Sequence, residues 1–535
     1  MNPTEQKTTI SEVVRKRKNF PLSAIVGCLI FFAFFSVAVT AQTTSLRFET
    51  TIARGIVSAL QTGRLFVFLN RKGENEPRLI FDDGDVGFDA PPILAKDVIG
   101  FKPGETKFII DNTSISYPIK NLAGLPAGEY YVQALLDTNN DLRSLNAPGN
   151  LYSAVQKVTL DAKRGGGTIK LELTKIVPPE KMPDDTEFIK YVKIQSQLLT
   201  KFHRRPIYLR AAIVLPRGYE RETTRRYPLL INIGGYGSKF TRAARLMNEN
   251  SPFRKMWLAD DTPRMIIVYL DGDGPYGDSY QINSANNGPY GDALTQELIP
   301  NIEKQFRAAG TPQSRFLTGG STGGWVSLAL QIFYPDYFNG TWSGFPDPLD
   351  FRAYQLIDIY KDENAYVNKN GFERPSAREA NGDTQFSMRL ECLKENVLGA
   401  GDSYTMSGGQ WGAWNATYSP RGMDGKPVPL WDAKTGKINH AVAEQWKKYD
   451  LRIVAEQNWQ TLAPKLKGKL HIWVGEADDY FLNNGVHLFD DFISRAEPKS
   501  GGWIMYSRTG RHGWMPKTSA EIMKEMTQRF EQTSK

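Results

Sequence analysis

The residues best suited to chemistry form a glycine-rich turn near the middle of the chain. Ser321 lies in the run Gly319–Gly324, which follows a short strand predicted for Arg315–Thr318 and precedes an apolar helix pattern that begins at Trp325. A serine on a sharp turn between strand and helix is the G-x-S-x-G arrangement of a nucleophile, and its glycines permit strained backbone angles and close packing. The turn predicts that Ser321 is a nucleophile for acyl transfer. The alternative is a glycine-rich helix cap.

A serine nucleophile needs a base, and the chain contains few histidines. They are His203, His440, His471, His487 and His512. Around a turn of this kind the catalytic groups follow in the order serine, acid, histidine. His471 lies in a predicted buried strand, His487 on the apolar side of a predicted helix, and His440 before a polar helix. His512 lies in a loop directly after a predicted strand, where α/β active sites are built, so it is the predicted base.

The acid that orients this histidine is expected just after the preceding strand. The apolar run Leu470–Val474 leads into Gly475-Glu476-Ala477-Asp478-Asp479, so both aspartates are eligible. Asp478 is favoured, because a residue directly after the tight turn projects back toward His512. Asp479 stays open as the alternative, and either one is also suited to cap the helix predicted near Asn483.

Backbone N–H groups must stabilise the oxyanion of such a reaction. One donor is expected from Thr322, the residue after the nucleophile. The other is expected from the loop Gly234–Gly237, whose glycines let the backbone approach a substrate closely. Gly235 and Tyr236 are both candidates, and the sequence does not choose between them.

The elements that must position these groups read as alternating strands and helices. Residues 227–233, 265–270 and 470–474 are continuous apolar runs of the kind that form buried parallel strands. Leu294, Leu298, Ile302 and Phe306 recur every four residues and predict one face of an amphipathic helix. The pattern predicts an α/β sheet that is covered on both faces.

The front of the chain has a different pattern. Residues 45–180 contain short period-2 alternations separated by turn residues, which predict an antiparallel β-sandwich. We therefore assign residues 42–185 to a β-rich accessory domain and residues 186–535 to the domain that carries the chemistry. No motif in the front section suggests catalysis.

From about Ile207 onward the chain resembles the "putative esterase" group of α/β-hydrolases, which includes esterase D-like S-formylglutathione hydrolases, feruloyl esterases and enterochelin esterases. The resemblance is carried by Leu215–Tyr219, Gly234–Gly237, Tyr290–Asp292, Glu297–Glu303, Gly319–Gly324, Gly475–Asp478 and His512. It implies an α/β-hydrolase fold in which Ser321, Asp478 and His512 form the triad. It also implies a small-molecule or glycan-linked ester as substrate, and neither a metal nor an organic cofactor.

Two features depart from that group. The doubled Asp478-Asp479 leaves the register of the acid open, and residues 345–462 form an insertion far longer than a compact member needs. We predict that the insertion is a lid, with a flexible aromatic loop over residues 408–414. Trp411, Trp414 and Asp347 are candidate substrate contacts. The alternatives are that the tryptophans pack the core of the insertion and that the aspartate shapes a turn.

The first residues read as an export leader. A basic cluster at 15–18 is followed by an apolar run over residues 22–41 that ends in a small-residue pattern. These are the parts of a cleaved signal peptide over residues 1–41, although the run is long enough to be a membrane anchor. Both interpretations place the protein outside the cytoplasm, as a periplasmic, cell-surface or secreted protein, with membrane association through residues 22–41 in the second case.

Composition narrows the remaining choices. The leader holds five basic and two acidic residues, so its removal lowers the net charge from +8 to +5, which favours no nucleic-acid partner. Cys392 is then the only cysteine and is interpreted as a buried thiol. The sequence predicts an exported serine esterase. The alternatives are a serine peptidase or amidase of the same fold and a non-catalytic surface binding protein.

Overall fold

The computed structural model describes residues 46–80 and 90–534, which form one compact unit. The leader 1–41 lies outside the described residues, and its assignment as a signal peptide or anchor stays a prediction. Within the described part of the chain, no helix has both the length and the apolar character that crossing a membrane requires.

The front of the chain forms a sheet of nine strands, in agreement with the predicted β-rich section. The strands are β1 (Arg47–Ile52), β2 (Gln61–Asn70), β3 (Ile93–Phe101), β4 (Phe108–Ile110), β5 (Ile115–Tyr117), β6 (Gly128–Asp137), β7 (Leu151–Ser153), β8 (Gln156–Leu160) and β9 (Thr168–Ile176). Their order is β4-β1-β9-β7-β6-β2-β3-β5, and β8 pairs with the first half of β6. Only the β1–β9 pair is parallel.

Both faces of this sheet are covered, because successive side chains of a strand point to opposite faces. Leu65 and Val67 of β2 belong to a core enclosed by the sheet itself. Phe66 and Phe68 belong to a second cluster that includes Leu390 and Val397, which come from the insertion. The front sheet is therefore packed against the rest of the molecule along one face.

The second sheet has eight strands and holds the predicted site. They are β10 (Ile189–Gln195), β11 (Tyr208–Val214), β12 (Leu229–Ile233), β13 (Ile266–Leu270), β14 (Arg315–Gly320), β15 (Thr341–Gly344), β16 (Leu470–Gly475) and β17 (Trp503–Ser507). The order is β10-β11-β13-β12-β14-β15-β16-β17, and only β11 runs against its neighbours. The carboxyl ends of β12, β14, β15 and β16 therefore meet at one edge.

Thirteen α-helical segments occur in the described residues. They are α1 (Pro77–Ile80), α2 (Gln197–His203), α3 (Arg242–Leu246), α4 (Pro252–Leu258), α5 (Tyr290–Ala293), α6 (Ile299–Gln305), α7 (Thr322–Phe333), α8 (Met388–Leu398), α9 (Gln410–Tyr418), α10 (His440–Trp446), α11 (Leu451–Leu466), α12 (Asn483–Ile493) and α13 (Ser519–Thr533). Helices such as α7 and α11 pack against the eight-stranded sheet, as an α/β architecture requires.

The helix predicted over residues 294–306 is not regular. A π-helical turn over Leu294–Leu298 joins α5 to α6, and α6 ends at Gln305, one residue before the predicted Phe306. Pro300 lacks the N–H that an α-helical bond to Gln296 requires, and a wider turn accommodates this defect. The buried faces of Leu294, Leu298 and Ile302 are nevertheless as predicted.

The insertion is ordered around aromatic side chains. Residues 410–414 of the segment predicted as a flexible loop belong to the helix α9, so that prediction is wrong. Gly408 and Gly409 precede the first residue of α9. The aromatic side chains that follow them in the helix are buried and hold the helix in the core. Trp411 packs edge-on against Trp414 and Trp431, with ring centroids 4.8 and 5.4 Å apart. Cys392 is buried in the same region, as predicted.

Candidate active site

Ser321 occupies a strained turn between β14 and α7. Its backbone angles are φ 59° and ψ −126°, a conformation that residues other than glycine rarely adopt. Its N–H donates to the Gly344 carbonyl at 3.0 Å, which ties the turn to the neighbouring strand. A Cβ on Gly323 would lie 2.2 Å from the Ile233 carbonyl oxygen, so only glycine permits α7 to pack this close. The glycine-rich sequence therefore places Ser321 at the carboxyl edge of the sheet.

Asp478 and His512 form a hydrogen-bonded pair at the same edge. The distance from His512 Nδ1 to Asp478 Oδ2 is 2.8 Å, and the carboxylate is fully buried. Its other oxygen accepts the N–H groups of Tyr480 at 3.0 Å and Leu482 at 3.2 Å. These three contacts fix the carboxylate and orient the imidazole.

Asp479, the alternative acid, points elsewhere. Its Oδ1 lies 2.6 Å from Arg511 Nε in a partly exposed ion pair. The turn that holds both aspartates is braced by Arg378, which donates to the carbonyls of Asp478 at 2.9 Å and Glu476 at 3.0 Å. Of the two adjacent carboxylates, the structure brings only Asp478 to His512.

The other histidines lie apart from this pair. His471 is buried in β16, where its Nδ1 lies 3.1 Å from the Thr341 carbonyl and burial lowers its pKa to about 4. The prediction that His487 lies on the apolar side of a helix is wrong. Its side chain is 47% exposed and its Nε2 lies 2.8 Å from Glu476, because the apolar face of α12 is formed by residues such as Val486 and Phe489.

The predicted oxyanion loop lies beside the nucleophile. A Cβ on Gly235 would lie 3.7 Å from the Ser321 Cβ, so the loop backbone approaches the serine without touching it. The Tyr236 hydroxyl donates to the Gly408 carbonyl and so links this loop to the insertion. Thr322 is the first residue of α7, and the first N–H groups of a helix have no partner within it. The Gly234–Gly237 loop and the first residue of α7 therefore both lie next to Ser321.

Asp347 lies beside the turn, where its N–H donates to the Ser321 carbonyl at 3.3 Å, and it is almost fully buried. One of its oxygens accepts from the Tyr280 hydroxyl at 2.7 Å, the Thr322 hydroxyl at 3.0 Å and Trp414 Nε1 at 3.1 Å. Burial raises the pKa of Asp347 to about 6. This carboxyl group fastens the first residue of α7 to the insertion.

The two tryptophans predicted as substrate contacts differ in position. Trp414 and Asp347 line the cavity above Ser321. Trp411 does not line it, because its ring is buried in the aromatic core and its Nε1 donates to Glu391 at 2.7 Å. For Trp411 the structure supports the packing interpretation instead of a substrate contact.

A large cavity lies among these groups. It has a volume of about 1410 Å³ and is lined by Ser321, His512, Gly235 and Tyr236. Small-molecule sites usually measure roughly 300–1,000 Å³, so there is room for more than a small ester. Among the described residues, no cluster of three or more histidine, cysteine or acidic side chains is arranged to hold a metal ion.

Several residues that shape the site were missed by the sequence analysis. Arg378 belongs to the insertion and reaches the acid turn across 100 positions, a separation that no local motif reports. The rings of Phe345 and Tyr480 lie edge-on to His512, with centroids 4.8 and 4.9 Å from it. Tyr480 directly follows Asp479 in the sequence, so its position next to the two candidate acids could have indicated that it lies near His512.

A mixed sheet with one antiparallel strand, a strained serine after its fifth strand and a histidine–aspartate pair after later strands defines the α/β-hydrolase class. The chain belongs to the "Putative esterase" family, whose profile matches residues 208–491. No curated protein matched the chain.

Three solved structures are similar to part of this chain. A ferulic acid esterase is 16% identical with a TM-score of 0.39, and the match covers 64% of this chain and 100% of that protein. An S-formylglutathione hydrolase from Agrobacterium tumefaciens is 13% identical with a TM-score of 0.34, over 65% of this chain and 95% of its own. FphF, a fluorophosphonate-binding serine hydrolase from Staphylococcus aureus, is 13% identical with a TM-score of 0.36, over 64% and 98%.

Proposed function

We propose that this protein is an exported serine esterase that hydrolyses a carboxylic ester through an acyl-enzyme. His512 takes the proton of the Ser321 hydroxyl as the serine oxygen attacks the ester carbonyl, and Asp478 stabilises the charged imidazole. The N–H of Thr322 and that of Gly235 or Tyr236 bind the oxyanion. The imidazolium then protonates the departing alcohol. Water hydrolyses the acyl-enzyme in the same way and regenerates the serine.

One observation carries this proposal. The strained Ser321 turn and His512, which pairs with the buried Asp478, line the same cavity, although the three residues follow three different strands. A strained backbone at a serine is costly and persists where the surrounding structure enforces it, and it clusters at functional sites. A structural helix cap has no need of the paired imidazole.

The finer parts of the proposal concern the other regions. We assign the insertion 345–462 as a lid, because Phe345, Gln385 and Phe386 line the cavity from its side. The front domain is sandwich-like, since one hydrophobic core holds side chains from both ends of its sheet, such as Phe48 and Leu94. Export rests on the predicted leader alone.

Labelling with a fluorophosphonate tests the nucleophile. We expect the wild-type chain to be labelled and the Ser321→Ala chain to be unlabelled. Ser494→Ala, at an exposed position at the end of α12, is the matched control and should label as the wild type does. An unlabelled wild type would favour the non-catalytic binding protein. Labelling together with cleavage of peptide substrates and no ester turnover would favour the peptidase.

A further inference from the structure

The cavity has a wall that the proposed reaction does not use. Part of its lining comes from the front domain, including Phe66, Asp137, Arg143 and Ser144. This domain was predicted to be an accessory module with no chemistry of its own. Its loop between β6 and β7 instead faces the same space as Ser321.

The wall is fixed by contacts with the hydrolase domain. The Arg143 N–H donates to the Gly274 carbonyl at 3.3 Å, and Arg143 Nε donates to the Pro275 carbonyl at 3.2 Å. The guanidinium also pairs with the buried Asp137 carboxylate at 3.4 Å. The Arg143 side chain is only 14% exposed, so it is held in place before any ligand arrives.

A short series of contacts leads from this wall to the nucleophile. A Cβ on Gly408 would lie 2.2 Å from Arg143 Cγ, so the two residues are in direct contact. The Gly408 carbonyl accepts from the Tyr236 hydroxyl, and the neighbouring Gly235 approaches Ser321. The front domain therefore lies close enough to contact the part of a substrate that extends beyond the scissile ester.

The chemistry of the lining favours a neutral ligand. Two basic groups of the lining are paired with carboxylates, since Lys239 lies 3.3 Å from Asp273 just as Arg143 pairs with Asp137, and the Arg242 guanidinium donates to Asn232. Burial raises the pKa of Glu395 to about 8, so this carboxyl group adds little negative charge to the lining at neutral pH.

Side-chain amides add further polar groups to the same lining. Asn75 comes from the front domain, and Gln355, Gln385 and Gln410 come from the insertion. An amide both donates and accepts, which matches hydroxyl groups better than it matches an ion.

We propose that the β6–β7 loop of the front domain, through Arg143 and Ser144, forms a binding subsite for a neutral, hydroxyl-rich portion of the substrate, such as an oligosaccharide that carries the ester. The inference rests on the proposed function for the position of the ester. The binding itself does not depend on turnover.

Calorimetric binding of acetylated xylohexaose to the full chain in a Ser321→Ala background tests the subsite. Adding Ser144→Trp places bulk in the wall without removing a contact between the domains, and we expect it to weaken binding about tenfold. Arg143→Met should weaken binding by a similar factor, because it removes a charged hydrogen-bond donor. Lys157→Met is the matched control. It removes a positive charge from an exposed position of the same domain, and binding should be unchanged.

The outcomes separate the inference from the proposed function. Thermal unfolding of each variant identifies a chain that fails to fold, and Ser144→Trp tests the subsite even if Arg143→Met does fail. Undiminished binding in Ser144→Trp overturns the inference, and so does the absence of binding in the background chain. Tighter binding of an anionic oligogalacturonate overturns the assignment of a neutral ligand. A wild-type chain that binds the oligosaccharide but shows neither fluorophosphonate labelling nor ester turnover contradicts the proposed function and leaves the subsite standing.

Discussion

The two sides of the cavity are built by different means. On the sheet side, glycines at positions such as 319 and 323 bring the backbone into contact and fix Ser321 at the end of β14. On the insertion side, long side chains meet, and buried carboxyl groups such as Glu395 accept bonds from Ser407 and from the backbone of α9. The comparison teaches that backbone geometry places the reacting groups, whereas side-chain packing sets the size and polarity of the space around them.

The largest expected effect separates the two adjacent aspartates. Asp478→Asn should lower kcat/KM for p-nitrophenyl acetate by about 10⁴-fold, because the amide disfavours the imidazole tautomer that catalysis needs. Asp479→Asn removes only a partly exposed ion pair with Arg511, and a pair of this kind is worth roughly 0–1 kcal/mol. Similar losses in the two variants would show that sheet-side geometry does not select the acid.

The next effect concerns the backbone of the turn. Gly323→Ala should lower the free energy of unfolding by about 3 kcal/mol or more, since its Cβ meets two carbonyl oxygens within 2.5 Å. Gly382→Ala in the insertion has a positive φ of 92° but nothing within 4 Å, and should cost about 1 kcal/mol. Urea unfolding measures both. Equal costs would contradict the claim that the sheet side depends on close backbone contact.

The third prediction concerns the pH dependence of stability at Asp347, which connects the sheet side of the cavity to the insertion. Its pKa is raised from 3.8 to about 6 in the fold, so the folded state holds the proton more tightly than the unfolded state. The stabilisation is complete below pH 3.8 and is lost as the pH rises to about 6, a change of about 3 kcal/mol.

Asp347→Asn should remove that part of the pH dependence, measured as the free energy of unfolding between pH 4 and pH 7. Asp491→Asn, at an exposed position of α12, is the matched carboxylate-to-amide control. An unchanged slope in Asp347→Asn would mean that Asp347 is charged in the fold at low pH.

The smallest expected effect is on stability, and it concerns a hydrogen bond between two residues of the insertion. Trp411→Phe removes the bond from Nε1 to Glu391 and leaves a buried carboxyl group with one partner fewer, at a cost of about 1–3 kcal/mol. We expect this cost to appear in the unfolding midpoint, with little change in kcat for p-nitrophenyl acetate. A large fall in kcat at an unchanged midpoint would place Trp411 in the catalytic machinery.

The same contrast explains what could be predicted from the sequence. The strands, the turn at Ser321 and the choice of His512 rest on short-range patterns, because periodicity and glycine spacing are local. Asp478 and Asp479 are adjacent, and only the path of the turn decides which carboxylate faces His512. The helix α9 was predicted as a loop, because its glycines are local signals whereas its stability comes from aromatic contacts distant in the chain.

The wall contributed by the front domain was missed for a related reason. Arg143 belongs to a polar turn with no motif, and its partners Gly274 and Pro275 lie more than a hundred positions away. Contacts of this kind arise only when two independently formed sheets are placed against each other. A sequence pattern describes each sheet and says nothing about their common surface.

The position of the insertion has a consequence for how the fold tolerates change. It lies between β15 and β16, and the Arg452 N–H at the start of α11 donates to the Leu349 carbonyl at 2.9 Å, so the two ends of residues 350–451 are held together. The entropic cost of closing a loop grows only with the logarithm of its length, about 0.6 kcal/mol for each doubling. Chain length can therefore be added or removed at this junction at small thermodynamic cost. The space above Ser321 is free to be remodelled while the strand register that sets the reaction geometry stays the same.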